Sequence, residues 1–281
     1  MRKFLALALS CILLVASLAS CAVGLGDPDA INDYTPEVKT ITTDKGVFTF
    51  EEADGDTAIL VGYNGRATKD DHVEIPTEFN GRPVVGIGDS VFYNLAAVVE
   101  VKIPETVTSI GKYAFANCTE LTSITLPAGL LSIDFGAFTG CTKLETIDLG
   151  DALVSIGDSA FKSCPVLKNI ELPATVEFIG QYAFAYDTAL TAFVAPTALK
   201  EIGTLAFYNC TGLTSIKLSD TIETFGEFVF VTEKTTMKAI IDTTSYSEGS
   251  KAAEYVADMA DTVIEETTEA GDENSTTEPE A

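Results

Sequence analysis

The residues with chemistry to offer are six cysteines, one histidine and 42 carboxylates in a chain of 281 residues. Four of the cysteines, Cys118, Cys141, Cys164 and Cys210, stand 23 residues apart or a multiple of that. Zinc-binding cysteines instead come in close pairs that converge on one point. A nucleophile needs a base within hydrogen-bond reach and a third group to orient that base. His72 is the only histidine, and no Gly-x-Ser-x-Gly turn accompanies it, so a catalytic triad is excluded. The sequence also lacks a dinucleotide Gly-x-Gly-x-x-Gly turn, a phosphate-binding Gly-x-x-x-x-Gly-Lys-Ser/Thr loop and a His-Glu-x-x-His helix. Glycoside hydrolysis needs two acids flanking one bond in a cleft, and nothing in the spacing singles out two of the 42. The expectation is a non-catalytic protein with no cofactor and no metal site.

What positions the cysteines is a repeat. Ile87, Ile110, Ile133, Ile156, Ile179, Ile202 and Phe225 stand 23 residues apart, and five residues after each comes a phenylalanine, from Phe92 to Phe230. Three positions before each lies Val84, Val107, Leu130, Leu153, Val176, Leu199 or Ile222. A second apolar set completes the unit, as in Leu121-x-x-Ile124-x-Leu126-Pro127. Such a unit cannot bury its apolar side chains alone, so neighbours must stack and form internal ladders. Ser123-Ile124-Thr125-Leu126 has the period of a strand, and stacked strands should form a parallel sheet along one face. In Ile110-Gly111-Lys112-Tyr113-Ala114-Phe115 the glycine is read as a tight turn, the alanine as close approach and the phenylalanine as filler, within a short helical or irregular arc. Seven coils at about 4.8 Å per step make a rod of roughly 34 Å. The cysteines then form one ladder. Adjacent coils leave either buried free thiols or one disulfide possible on distance, whereas Cys210, two coils from Cys164 at about 10 Å, is out of reach.

Residues 121–141 run nearly letter for letter as L-x-x-I-x-L-P-x-x-L-x-x-I-G-x-x-A-F-x-x-C. This resembles the BspA-type leucine-rich repeat of bacterial surface proteins, and the resemblance extends over 84–230 and its flanks. It implies a leucine-rich-repeat solenoid, an adhesion-like role and no particular receptor. Three departures stand out: Asp134 for the turn glycine with Gly136 nearby, Asp187 for cysteine, and Ala195 for leucine beneath Val194. They should weaken packing in the third and fifth repeats.

The flanks read as follows. Residues 1–20 have the charged start, apolar stretch and small-residue end of a secretory signal; the apolar run is shorter than the roughly 20 residues that span a bilayer. Leu18-Ala19-Ser20-Cys21 resembles the bacterial lipobox, which makes Cys21 the lipid-attachment residue, since two acyl chains give a stable membrane anchor. Ordinary cleavage nearby, with Cys21 free or lost, is the competing reading. Residues 21–40 read as a tether and 41–83 as an N-terminal β cap, with a hairpin through Asp54-Gly55-Asp56. The repeats fill 84–230. Residues 231–263 read as a C-terminal cap with a last strand at Ala239-Ile240-Ile241 and a helix over 250–260 presenting Ala253, Val256, Ala257 and Ala260 on one face, N-capped by Ser250. Residues 264–281 read as a disordered acidic tail. The net charge of -25 excludes nucleic acid, which recruits basic clusters.

Interior positions are taken by packing, so binding falls to the outward side of the sheet. The candidate ligand-binding residues are Glu100, Lys102, Ser123, Thr125, Thr146, Asp148, Asn169, Glu171, Val194, Ser215 and Lys217, with Ala192 among them. They form no aromatic stripe and no charge block, and an ordinary solvated face is the alternative. A sparse row of Tyr93, Tyr113, Tyr182 and Tyr208 on the arc side reads mainly as packing edges. The function expected is a surface-exposed lipoprotein binding a protein or glycan ligand on a host, a neighbouring cell or the envelope. An envelope-organising spacer and, last, a hydrolase or ligand-delivery subunit are the alternatives.

Overall fold

The computed structural model describes residues 39–65, 71–168, 170–232 and 238–259. The lipid site expected at Cys21 and the tail 264–281 lie outside these residues. Three strands open the fold: β1 (Lys39–Thr42), β2 (Val47–Ala53) and β3 (Thr57–Asn64). They pair antiparallel in that order, with the β2–β3 hairpin turning through Asp54-Gly55-Asp56. Phe48, Phe50, Ala58 and Leu60 face the core and their neighbours face outward, the alternation a half-buried strand requires. β1 begins at Lys39, inside the stretch read as a tether, because Ile41 packs onto that core.

The coils follow, each counted from its Ile (Phe225 in the last). β4 (Asp71–Glu74), β5 (Glu78–Phe79) and β6 (Arg82–Ile87) lead in, and β7 (Val98–Lys102), β9 (Ser123–Thr125), β11 (Thr146–Asp148), β14 (Ala192–Val194) and β16 (Ser215–Lys217) lie on the face read as the sheet. Between them run β8 (Ser109–Ile110), β10 (Ser132–Ile133), β12 (Ser155–Ile156), β13 (Phe178–Ile179), β15 (Glu201–Ile202) and β17 (Thr224–Phe225). The continuous parallel ladder is this second set, in the order β3-β6-β8-β10-β12-β13-β15-β17. It passes through the pairs that end in the periodic Ile, or in Phe225 in the last coil. The face expected to carry the sheet is broken into β4–β7, β9–β11 and β14–β16. The solenoid is therefore laddered on two sides, and the Ile before the glycine anchors the unbroken one.

The arcs contain no helix; they are successive turns. Their backbone is satisfied by alternation. Tyr113, Phe115 and Asn117 donate N–H bonds of 2.9, 2.7 and 2.8 Å to Phe135, Ala137 and Thr139 of the next coil, while Ala114, Ala116 and Cys118 donate back within their own arc. Every buried polar group needs such a partner. The alternation is made by two left-handed residues per arc, such as Tyr113 and Asn117, Ser159 and Ser163, Tyr182 and Tyr186, Leu205 and Asn209. Gly111 is not among them. A Cβ there would meet Gly88 C at 2.8 Å and Asp89 N at 2.9 Å of the preceding coil. This glycine row serves coil-to-coil approach, not the tight turn the sequence reading assigned to it.

The centre is a column of rings. Phe92, Phe115, Phe138, Phe161, Phe184, Phe207 and Phe230 stack with centroids 5.0–5.4 Å apart and planes within 17° of parallel. Beside them Cys118, Cys141, Cys164 and Cys210 are buried free thiols. Each thiol donates to the carbonyl of the phenylalanine 26 residues earlier, at 2.9–3.2 Å, and burial raises their pKa, that of Cys118 to about 12. In the fifth coil Phe193 stands where other coils have isoleucine and lies against Phe207 at 4.5 Å.

The C-terminal cap departs from the expected strand at Ala239-Ile240-Ile241. Lys238–Ile240 makes one 3-10 turn, and Ile241 alone bridges to Ile216. Helix α1 (Lys251–Asp258) is N-capped by Ser250, whose side chain accepts from Ala253 N. Its inward residues are Ala252, Val256 and Met259, not Ala253 and Ala257, because the helix docks Tyr255 flat on Phe225 at 4.4 Å. Among the described residues no helix is long and apolar enough to cross a membrane.

Candidate interaction surface

The outward residues of the broken sheet face fall in three parts. At the N-terminal end, Glu100 and Lys102 of β7 are exposed and engaged. The Glu100 carboxylate lies 2.6 Å from His72 Nδ1, and Lys102 Nζ lies 2.6 Å from Glu74. The hydrogen bond from Lys102 to Glu74 holds its ammonium above the usual lysine range. These exposed pairs cost little to break in water. In the middle, Ser123, Thr125, Thr146 and Asp148 project from β9 and β11 on either side of Ile124 and Ile147. Asp148 Oδ1 accepts from Gly150 N at 3.0 Å and so holds the turn that follows. At the far end, Lys217 is exposed and Ser215 half-buried on β16.

Between the middle and far parts the strand pairing stops. β11 pairs with β9 and β14 with β16, and among the described residues no strand of the fourth coil joins them. Asn169 lies outside the described residues; Glu171 is exposed on this unpaired stretch. Here a hollow of about 470 Å³ opens, lined by Ile170, Glu171, Leu172, Val194, Ala195 and Pro196 among others. Val194 is 59% exposed, more than any other large apolar side chain among the described residues, and Ala192 is half-buried beside it. A second, more polar hollow of about 310 Å³ lies over Glu74, Glu100, Lys102, Ser123 and Thr125. The sequence reading placed Glu171 and Val194 on the face but did not foresee the hollow between them. Its signal was present in Ala195, a short side chain under an outward valine.

The arc side presents Tyr93 and Tyr113 at a centroid distance of 6.4 Å and Tyr113 and Phe135 at 5.0 Å, both edge to face. Lys162 lies over the rings of Tyr182 and Tyr186 at 5.1 and 6.0 Å. Phe135, next to the left-handed Gly136, and Tyr186, itself left-handed, extend the row read from the sequence. Among the described residues no cluster of three or more His, Cys, Asp or Glu side chains is arranged to hold a metal.

Two ladders, a phenylalanine column and a 23-residue period define a leucine-rich-repeat β-solenoid. Residues 85–196 and 179–274 match the model of the BspA type leucine-rich repeat region, in six copies. The chain belongs to that family. Its fold is similar to that of a T. pallidum leucine-rich repeat protein, with 33% identity, a TM-score of 0.60, and coverage of 66% of this chain and 85% of that one. It is also similar to a leucine-rich repeat protein from Bacteroides ovatus, with 27% identity, a TM-score of 0.52, and coverage of 69% and 57%. The match thus spans somewhat more than half of the second protein. No curated protein matches the chain.

Proposed function

We propose that the chain is a non-catalytic, surface-displayed lipoprotein, attached through Cys21, whose solenoid binds a protein partner with its broken sheet face. The observation that carries the reading is the hollow beneath Val194. Exposed apolar groups rimmed by polar ones mark interaction sites, and here Glu171 and Thr197 line the hollow with Val194, Leu172 and Ala195. The interior columns are already committed to packing, so changes on this face leave the fold intact. A buried apolar anchor inside a polar rim is the usual anatomy of a protein interface. Membership of a family of bacterial leucine-rich repeat proteins supports the interaction role, and the signal and lipobox residues support display at the surface.

The test is a binding screen of the chain against matrix proteins, whole cells, glycans and cell-wall fragments, followed by Val194→Asp and by alanine at Thr125, Asp148 and Glu171. Loss of binding with an unchanged circular dichroism spectrum supports the face; unchanged binding rejects it. Labelled palmitate incorporation that persists in Cys21→Ala rejects the anchor.

A further inference from the structure

Asp187 stands where the other coils of the ladder carry cysteine. It is the only polar or charged residue among the described ones that is fully buried, at 0% exposure. Its Oδ1 accepts from Cys164 N at 2.7 Å, and its Oδ2 has no partner. The consequences reach one coil back. Phe115 O and Phe138 O each accept twice, from the N–H of the cysteine three residues on and from a thiol of the next coil. Phe184 O likewise accepts from Asp187 N and from the Cys210 thiol. Phe161 O receives neither among the described residues, because the Cys164 N–H has turned to Asp187 and no thiol stands opposite. An orphaned carboxyl oxygen and an orphaned carbonyl thus occupy the same rung. A carboxyl oxygen and a carbonyl, both acceptors, can satisfy each other only when the carboxyl carries a proton.

On the opposite side of the solenoid the same junction is one of those without paired strands among the described residues. Coils four and five are joined by the two-residue β12–β13 pairing, the arc bonds, backbone bonds from Ala198 to Ala174 and from Lys200 and Glu201 to Glu177, and the Lys200–Glu177 ion pair. Titratable groups facing Asp187 from the adjoining coils are the thiols of Cys164 and Cys210, both held above their usual range chiefly by burial. Lys162, in the fourth coil, lies over the outer rings of Tyr182 and Tyr186.

We propose that Asp187 is carried as a neutral carboxylic acid whose Oδ2–H donates to Phe161 O, and that its ionisation opens the junction between the fourth and fifth coils. The solenoid then has a proton-dependent joint at one place, set by one residue. The sign follows from burial, which pushes the Asp187 carboxyl well above the ordinary aspartate range. The unfolded or opened chain, with an aspartate near 3.9, gives up this proton first as pH rises. Stability from the group is therefore complete below about pH 4 and falls as pH climbs toward the folded value.

Amide hydrogen exchange on the full chain tests this directly. The N–H groups of Ser159, Phe161 and Ser163 cross the junction to Gln181, Ala183 and Ala185. Between pH 5 and 8, and after correction for intrinsic exchange, their protection should fall by up to about tenfold per pH unit, the slope for one proton. Those of Tyr113, Phe115 and Asn117, which cross the second junction, should not follow. Asp187→Asn keeps the Oδ1 acceptor and supplies a non-titrating donor, so its profile should be flat at both junctions. Asp187→Cys restores the thiol rung and replaces the Asn variant if that fails to fold. An infrared difference spectrum of wild type minus variant should show the carbonyl band of a protonated carboxyl at pH 6. Parallel pH profiles in wild type and variant, or a carboxylate band in place of the acid band, overturns the proposal.

Discussion

Replacing Phe138 by alanine removes the middle of the phenylalanine column. Phe138 is fully buried, between Phe115 at 5.1 Å and Phe161 at 5.3 Å with near-parallel planes. Phenylalanine-to-alanine changes in cores cost about 3–5 kcal/mol in lost transfer energy and cavity. Two stacked neighbours add about 0.5–1.5 kcal/mol each, which places the loss at about 4–8 kcal/mol. The neighbours are held by backbone ladders on both sides, so the cavity does not close by collapse. Urea unfolding followed by far-ultraviolet circular dichroism reads the change. A defect in the centre of a quasi-one-dimensional array also loosens the coupling of its two halves, so the transition should broaden or split as well as shift. Tyr93→Ala is the control, because Tyr93 is 46% exposed and meets Tyr113 only edge to face at 6.4 Å; its cost should stay under about 1 kcal/mol. A loss below about 2 kcal/mol at Phe138, or one equal to that at Tyr93, would refute the view that the ring column is the core of the rod.

Gly180→Ala should destabilise by at least about 1–3 kcal/mol, since its Cβ would fall 2.5 Å from Asp158 N and 2.6 Å from Gly157 C, whereas Ser159→Gly, at φ 56°, should be neutral or stabilising in the same urea titration. Cys118, Cys141, Cys164 and Cys210 should resist a maleimide at pH 8 in the folded chain and react in urea, read by intact mass; modification of all four without denaturant would contradict their burial. Tyr255 is raised to about 12 by burial, so stability should fall between pH 10 and 12 and Tyr255→Phe should lose that alkaline step. Ser250→Ala removes the cap on α1 and should cost about 0.5–2 kcal/mol, read as a lower thermal midpoint.

The period was legible because its apolar positions are redundant: seven isoleucine-type residues and seven phenylalanines in one register leave no other way to bury them. The hairpin through Asp54-Gly55-Asp56 and the Ser250 cap were legible for a different reason, being local chemistry. What escaped was the division of labour around each coil. Ser123-Ile124-Thr125 alternates like a strand and is one, but Ser109-Ile110 is too short to show a period and yet belongs to the unbroken ladder. The row containing Gly111 looked like a turn because conformational freedom and lack of a side chain have the same symbol in a sequence. Only the neighbouring coil tells them apart. The left-handed positions were hidden by Tyr113, Tyr182, Leu205 and Phe228, bulky residues that local preference disfavours there and that the inter-coil hydrogen bonds impose. On the candidate face, each outward residue was visible, but the hollow at Val194 was not, since residues of two neighbouring coils line it together. Asp187 was visible as a departure from the repeat, while its effect on Phe161 appears only when the rungs are compared.

The unbroken ladder of two-residue strands also sets how the rod answers to force. Its hydrogen bonds run along the stacking axis, so tension applied between the ends loads each rung in series and not many in parallel. Coils should therefore leave the stack one at a time, each paying out 23 residues, or about 80 Å of chain, before the next is stressed. A molecule held at one end and bound at its side would yield gradually under a pull and rewind by stacking on the coils that remain.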